Sequence, residues 1–427
     1  MGGARLFIDR CLGAAYAVLE RLVPHDDTVC FISFPPVEDN AFAVFTEILR
    51  RGDQDMHRLI WLTTAHPRVG MARLRVLFGS ETASRCRVFK RKSLRGLWYF
   101  LRARRVYFTH SHYRFVRRGR TPNRLINLWH GMPLKAIGLL DPDNKAEVPA
   151  SDLTIASSAF FQQIMARAIG LPLANVLVTG LPRCDQLAGS SDAARKLRQS
   201  LLQRAERLVI WMPTYRFNIV GPSRTDSVSS REACVTRFVQ DLSTLSELGQ
   251  AHGCAVVVKL HPMDFLTKEE LPALKSVTVL RPDSPELTAC GLYDLLAVTD
   301  GLITDVSSVC FDYMSTRRPI LITRDFVSSY TRGLLFDPAA LFAAVFTSQD
   351  WQGAEAFFKA VRAGETLDPR ALAQFCEFAD ANSAARVLDG IDALDREASA
   401  SHQSSGARRE SPASSAPANK GAVVYPE

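Results

Sequence analysis

Between residues 127 and 138 the chain reads NLWHGMPLKAIG, and the crowding of His130, Gly131 and Lys135 behind an apolar run suits a site that moves a proton beside an anion. An unperturbed histidine titrates near pH 6.5 and can accept a proton from an attacking hydroxyl at neutral pH. Gly131 lets backbone come close to a ligand, and Lys135 can pair with a phosphate. A tight turn with Trp129 packed in the core would use the same residues, so the stretch needs support from elsewhere.

That support lies further along the chain. MPTYR brings Thr214 and Arg216 to the end of one strand-like run, and KLHP brings Lys259 and His261 to the end of another. In GLITDVSSVCFDYMSTRRPILIT, residues 301–323, a short apolar strand leads to Asp305, then to Ser307 and Ser308 at a helix start, with Asp312 one turn on. Serines there offer hydroxyls and unpaired backbone N–H groups to a phosphate, and the helix dipole favours negative charge; a plain N-cap is the structural alternative. GLPRCD sets Arg183, whose planar fork can hold a phosphate through two nitrogens, after a strand and a tight turn. Neither a GxGxxG fingerprint nor a Walker loop occurs, and no His/Cys/Asp cluster has metal-ligand spacing, so neither metal nor cofactor is expected.

The elements that must position these groups alternate. Residues 5–23 have helical spacing and stop at Pro24; TVCFISF, HRLIWLTT, RVYFTH, LINLWH, LTIAS and VLVTG then read as strands separated by helical stretches. The polar stretch AGSSDAARKLRQS marks a boundary, after which RLVIWMPTY, CAVVVKLHP, SVTVL, GLIT and PILIT restart the pattern. Two parallel α/β sheets follow from this, and ligands of such sheets sit at the carboxyl ends of the strands. The expected division is an amphipathic helix at 1–24, a first Rossmann-like lobe at 25–190, a second at 191–395, and a disordered Ser/Ala/Pro-rich tail at 396–427.

With 427 residues, 47% hydrophobic and 22% charged, the chain has the composition of a folded protein of about two domains. Nine cysteines without a CxxC pair read as free thiols in a reducing compartment. No apolar run approaches a membrane span and no signal-peptide pattern is seen, which leads to a cytoplasmic expectation. The formal charge of +8 is unevenly spread: residues 85–124 hold fourteen Lys/Arg and no acid, interleaved with Trp98, Tyr99, Phe100 and Tyr107. Such a run calls for an anionic partner. Nucleic acid is disfavoured, since no zinc-finger, RRM or helix-turn-helix signature accompanies it; an acidic membrane face or a phosphate-rich substrate remains.

WHGMPLKAIG, GLPRCDQL, MPTYR, KLHP, ITDVSSVCFDY and YTRGLLFD, the last carrying Arg332, occur in an order that resembles the CDP-glycerol glycerophosphotransferases, which include teichoic-acid primases and polymerases. The resemblance spans roughly residues 25–340. It implies a GT-B arrangement of two Rossmann-like lobes facing a cleft, a CDP-linked donor such as CDP-glycerol held mainly by the second lobe, and attack by an acceptor hydroxyl with loss of CMP. It also implies a lipid-linked or polymeric anionic acceptor and a peripheral place on the inner membrane face. The family's WHG histidine falls on His130, its HP histidine on His261, its Asp-x-Ser-Ser pattern on Asp305, Ser307 and Ser308, and its arginine on Arg183. Met132 stands where threonine is common, Val306 where tyrosine is common, and PAALFAAVF replaces a PGP-like segment after LLFD. A GT-B glycosyltransferase using a nucleotide sugar is the competing enzyme reading, and a catalytically inactive module on a membrane surface the competing non-enzyme one.

Overall fold

The computed structural model describes residues 2–53, 58–117, 123–141, 148–213, 231–260, 274–281, 284–305, 307–324 and 334–407. His261, Thr214, Arg216 and Arg332 lie outside them. Seven strands form the first sheet: β1 (Asp26–Ile32), β2 (Arg58–Thr63), β3 (Cys86–Lys90), β4 (Ala103–Phe108), β5 (Arg124–Asn127), β6 (Leu153–Ala156) and β7 (Val176–Val178). Six form the second: β8 (Arg207–Met212), β9 (Cys254–Lys259), β10 (Val277–Leu280), β11 (Gly301–Thr304), β12 (Ile320–Thr323) and β13 (Phe346–Ser348). Their orders are β3-β2-β1-β4-β5-β6-β7 and β10-β9-β8-β11-β12-β13. Among the described residues, every pairing between these strands is parallel.

Both orders run outward from a central strand and then reverse, so each sheet has a switch point, between β1 and β4 and between β8 and β11. The central strands are buried on both faces, which is why they read as unbroken apolar runs: Val29 to Ile32 and Leu208 to Trp211 are almost without exposure. Short polar signals delimit the helices between them. Ser158 accepts from Phe161 N at 3.3 Å to start Ala159–Ile169, and Gly170, left-handed at φ 73°, ends it.

The polar boundary stretch, between β7 and β8, is helical over Asp192–Leu202, where Ser191 accepts from Ala194 N at 3.1 Å and caps it. Two stretches differ from the sequence reading. The final helix runs Ser383–Ala407, into the stretch expected to be disordered, where Ala, Arg, Glu and Gln sustain helical propensity. The basic stretch 85–124 is not a uniform surface run. It contains β3, the helix Leu94–Arg102 and β4, and Phe100 and Tyr107 are wholly buried core residues, while Tyr99 stacks on Phe89 at 4.9 Å. Of the four aromatics interleaved in it, Trp98 stands out into solvent, and Leu94 stands beside it on the same helix.

Contacts divide the chain into Met1–Val387, which holds both sheets, and Leu388–Glu427, in which the last helix continues to Ala407. Within the first unit the chain leaves the second sheet and returns to the first. Glu377 N donates to Ser157 O at 3.1 Å, Arg386 Nε donates to Thr179 O at 2.8 Å, and Asp185 accepts from Ser383 N and Ala384 N at 2.9 and 2.8 Å. Phe161 of the first lobe meets Phe311 of the second edge-on at 4.9 Å, and Phe375 closes the cluster. No helix among the described residues is long and apolar enough to cross a membrane.

Candidate active site

Three segments leave the carboxyl ends of β1, β4 and β5, around the first sheet's switch point, and converge. The helix Asp39–Arg51 begins with Asp39 and Asn40, and Asn40 is fully buried. Its side-chain nitrogen donates to Leu128 O at 2.9 Å and Trp129 O at 3.1 Å, while its oxygen accepts from Arg183 N at 3.0 Å. One amide thus pins the exit of β5 and the GLPRCD turn together. The backbone here is held in costly conformations: Val37, Asp39 and Trp129 have φ of 58°, 65° and 51°. Such values in non-glycine residues cost of order 1–3 kcal/mol each and persist where surrounding contacts demand them.

His130 sits half-buried between two flat neighbours, Trp129 at 4.5 Å and 26° and His110 at 4.1 Å and 11°. Its Nδ1 lies 3.0 Å from Thr109 O. A carbonyl can only accept, so Nδ1 carries the proton and Nε2 is left as the basic nitrogen. Burial lowers the His130 pKa, with the Arg183 cation pushing the same way and the Thr109 carbonyl and Asp39 opposing. His110 is lowered to about 4, by burial first and then by its partner His130.

Gly131 is where the two lobes' motifs meet. At φ +123°, a Cβ added to it would lie 2.6 Å from Arg183 Nη2, 2.7 Å from Ser308 Oγ and 3.0 Å from Ser308 Cβ. The WHG stretch and the Asp-x-Ser-Ser turn therefore touch through the space a side chain would fill. Ser308 stands at the N-cap position of the helix Val309–Tyr313 and makes no side-chain cap bond there. That helix is a single short turn continued by a 3-10 turn at Met314–Thr316, and its dipole contribution is correspondingly small. Asp305 is buried at the end of β11. Lys135 pairs antiparallel with Leu334, and Leu335 N donates to Leu134 O at 3.0 Å, adding a backbone link between the lobes.

Arg183 was expected to grip a phosphate with its fork. In the structure the fork is taken by carboxylates: Nη1 donates to Asp39 Oδ1 at 2.8 Å and Nη2 to Asp312 Oδ2 at 2.6 Å, with the Tyr293 ring 5.1 Å away. Tyr293 also donates to Asp312 Oδ2 at 2.6 Å. Arg183 and Asp312 are buried, and this four-residue knot joins the lobes directly beneath Gly131. Lys259, at the end of β9, acts on Glu38 across the crevice, drawing down a carboxyl that burial raises and that Arg73 pairs at 2.6 Å.

The structure therefore gathers His130, Gly131, Arg183, Ser308 and Asp312, with Lys135 stitched nearby by backbone. Asp39, Asn40, His110 and Tyr293 belong to the same constellation and were not singled out from sequence. His110 stands in THSHY just past β4, and Asp39 and Asn40 in EDN at residues 38–40, where the helix begins. Among the described residues no group of three or more His, Cys, Asp or Glu is arranged to hold a metal. A cavity of about 730 Å³ opens at the amino ends of β8–β10, lined by Arg204, Cys254 and Lys275, on the opposite edge of the second sheet from β11's carboxyl end.

Two parallel Rossmann-like sheets joined in this way are a GT-B-like fold. The chain belongs to the family described as CDP-Glycerol:Poly(glycerophosphate) glycerophosphotransferase, which matches residues 15–392. A teichoic acid poly(glycerol phosphate) polymerase of Bacillus spizizenii is 22% identical over 78% of this chain and 83% of its own. The ribitol-phosphate polymerase TarK of Staphylococcus aureus is 24% identical over 50% of this chain, which spans 43% of TarK's length. Among solved structures, the wall teichoic acid polymerase TagF superposes with a TM-score of 0.64 at 17% identity, over 92% of this chain and 95% of that one. A histidine-to-asparagine variant of TagF with CDPG superposes equally well, at a TM-score of 0.64.

Proposed function

We propose that this chain transfers an alditol phosphate, glycerol phosphate foremost, from a CDP-linked donor to a hydroxyl of a lipid-linked or polymeric envelope glycan, releasing CMP. The observation that carries this reading is His130, held by Thr109 O so that Nε2 is its basic nitrogen, beside a glycine packed against Ser308 of the opposite lobe. The acceptor's proton passes to Nε2 as its oxygen bonds to the phosphorus that bears glycerol. The bond from that phosphorus to the bridging oxygen breaks, and CMP leaves with the electron pair. Family membership, the glycerol-phosphate and ribitol-phosphate polymerase relatives and the TagF variant soaked with CDPG support the donor class.

By family pattern the donor set comprises Lys259, at the end of β9, and Asp305, Ser307 and Ser308, after β11, together with His261, Thr214, Arg216 and Arg332, which lie outside the described residues. Arg183 holds the lobes together there instead of offering its fork. Purified protein incubated with CDP-glycerol, CDP-ribitol and a panel of nucleotide sugars tests the reading. CMP release from a CDP-alditol supports it, and UMP or UDP release from a nucleotide sugar replaces it with glycosyl transfer.

The same reading places the chain at the inner face of the cell membrane, where a lipid-linked acceptor is found. Support comes from the exposed Leu94 and Trp98, flanked by the exposed Lys90, Lys92 and Arg95.

A further inference from the structure

Among the described residues of the site, His110 is a titratable ring that the transfer chemistry leaves without a task. It stacks almost parallel on His130, 4.1 Å away at 11°, and is itself held by the edge of Phe34 at 5.9 Å and by Thr109 Oγ1, 2.9 Å from its Nδ1. Thr109 thus serves both rings, its carbonyl fixing His130 and its hydroxyl fixing His110. Trp129 covers the other face of His130. We propose that His110 is a positioning residue for the base: its ring forms one wall of an aromatic sandwich that sets the plane of His130 and shields it from water.

The shielding has an electrostatic consequence. The titratable and charged groups facing the pair are Asp39 and Arg183, of opposite sign, so neither alone decides the protonation of His130. Burial is the leading influence on both rings. Removing the His110 ring opens one face of His130 to solvent, which returns its titration toward the ordinary 6.5. A flat apolar ring in the same place would keep the shield without the nitrogens.

The inference rests on His130 being the base, and the two can be separated. With CDP-glycerol as donor, His130→Ala must abolish most CMP release; if it does not, the functional reading fails and not only this one. Given that loss, His110→Ala is expected to lower kcat by about 10-fold through misplacement of the base, with KM for the donor little changed, and to raise the acid limb of the pH profile. NMR of the imidazole carbons should show the His130 titration moving up in the same variant without substrate present. His110→Phe should restore most of kcat and the lower titration. An unchanged kcat and His130 titration in His110→Ala would overturn the proposal, and so would a His110→Phe variant as impaired as the alanine one, since the ring nitrogens would then be acting on substrate. Should the alanine variant fail to fold, His110→Asn, which retains a partner for the Thr109 hydroxyl but no ring, carries the same expectations.

Discussion

At His130 the Thr109 carbonyl decides which nitrogen is basic and burial decides when it is charged. Because the folded pKa is lowered, the ring stays neutral to a lower pH than a free histidine, and the acid limb of kcat/KM is expected below 6.5. Linkage has the same sign for His110, whose folded value is about 4: the unfolded chain takes up the proton first, so stability falls as pH drops from about 6.5 toward 4 and is flat above. Urea unfolding across that range measures it. His130→Ala should cost turnover about 10²-fold or more while donor affinity is kept; near-normal turnover would remove it as the base. Gly131→Ala meets Arg183 and Ser308 at 2.6–2.7 Å in a conformation L residues avoid. A loss of about 1–3 kcal/mol is expected from the backbone alone, read as a lowered Tm together with lost CMP release.

Among the elements, the return of the chain from the second lobe depends on Asp185, whose two oxygens accept from Ser383 N and Ala384 N at the start of the last helix. Asp185→Ala removes that cap and should cost about 0.5–2 kcal/mol, visible in thermal unfolding. The helix Leu94–Arg102 carries a different expectation. Arg91 is spent on Ser111 O at 2.6 Å and Arg102 on Asp26 at 2.7 Å, so these arginines are structural, whereas Lys90, Lys92 and Arg95 are exposed. Changing those three to Gln should weaken co-sedimentation with anionic vesicles, at about 1 kcal/mol per residue, and high salt should mimic the change. Equal binding to neutral vesicles would make the run a solvated face.

Across the whole molecule, the lobes are joined by the buried Phe161–Phe311–Phe375 cluster and by the Asp39–Arg183–Asp312 knot, in which Arg183 and Asp312 are buried. Phe311→Ala should cost about 3–5 kcal/mol and, by loosening the joint, split one thermal transition into two. The two sheets, their parallel sense and the strand-end location of His130 and Asp305 were legible in the sequence, because buried strands must be apolar and their ends must turn. Periodicity and turn chemistry are local, and they survive without knowledge of the partner surfaces. What no local pattern contained was the company each residue keeps. Arg183 is a lobe tie and not an open fork because two carboxylates far apart in sequence, Asp39 and Asp312, reach it at once. Phe100 and Tyr107 are core and not interface because the sheet closes over them. Likewise His110 lies against His130 because β4 and β5 are neighbours in the sheet, a register that tertiary packing alone sets.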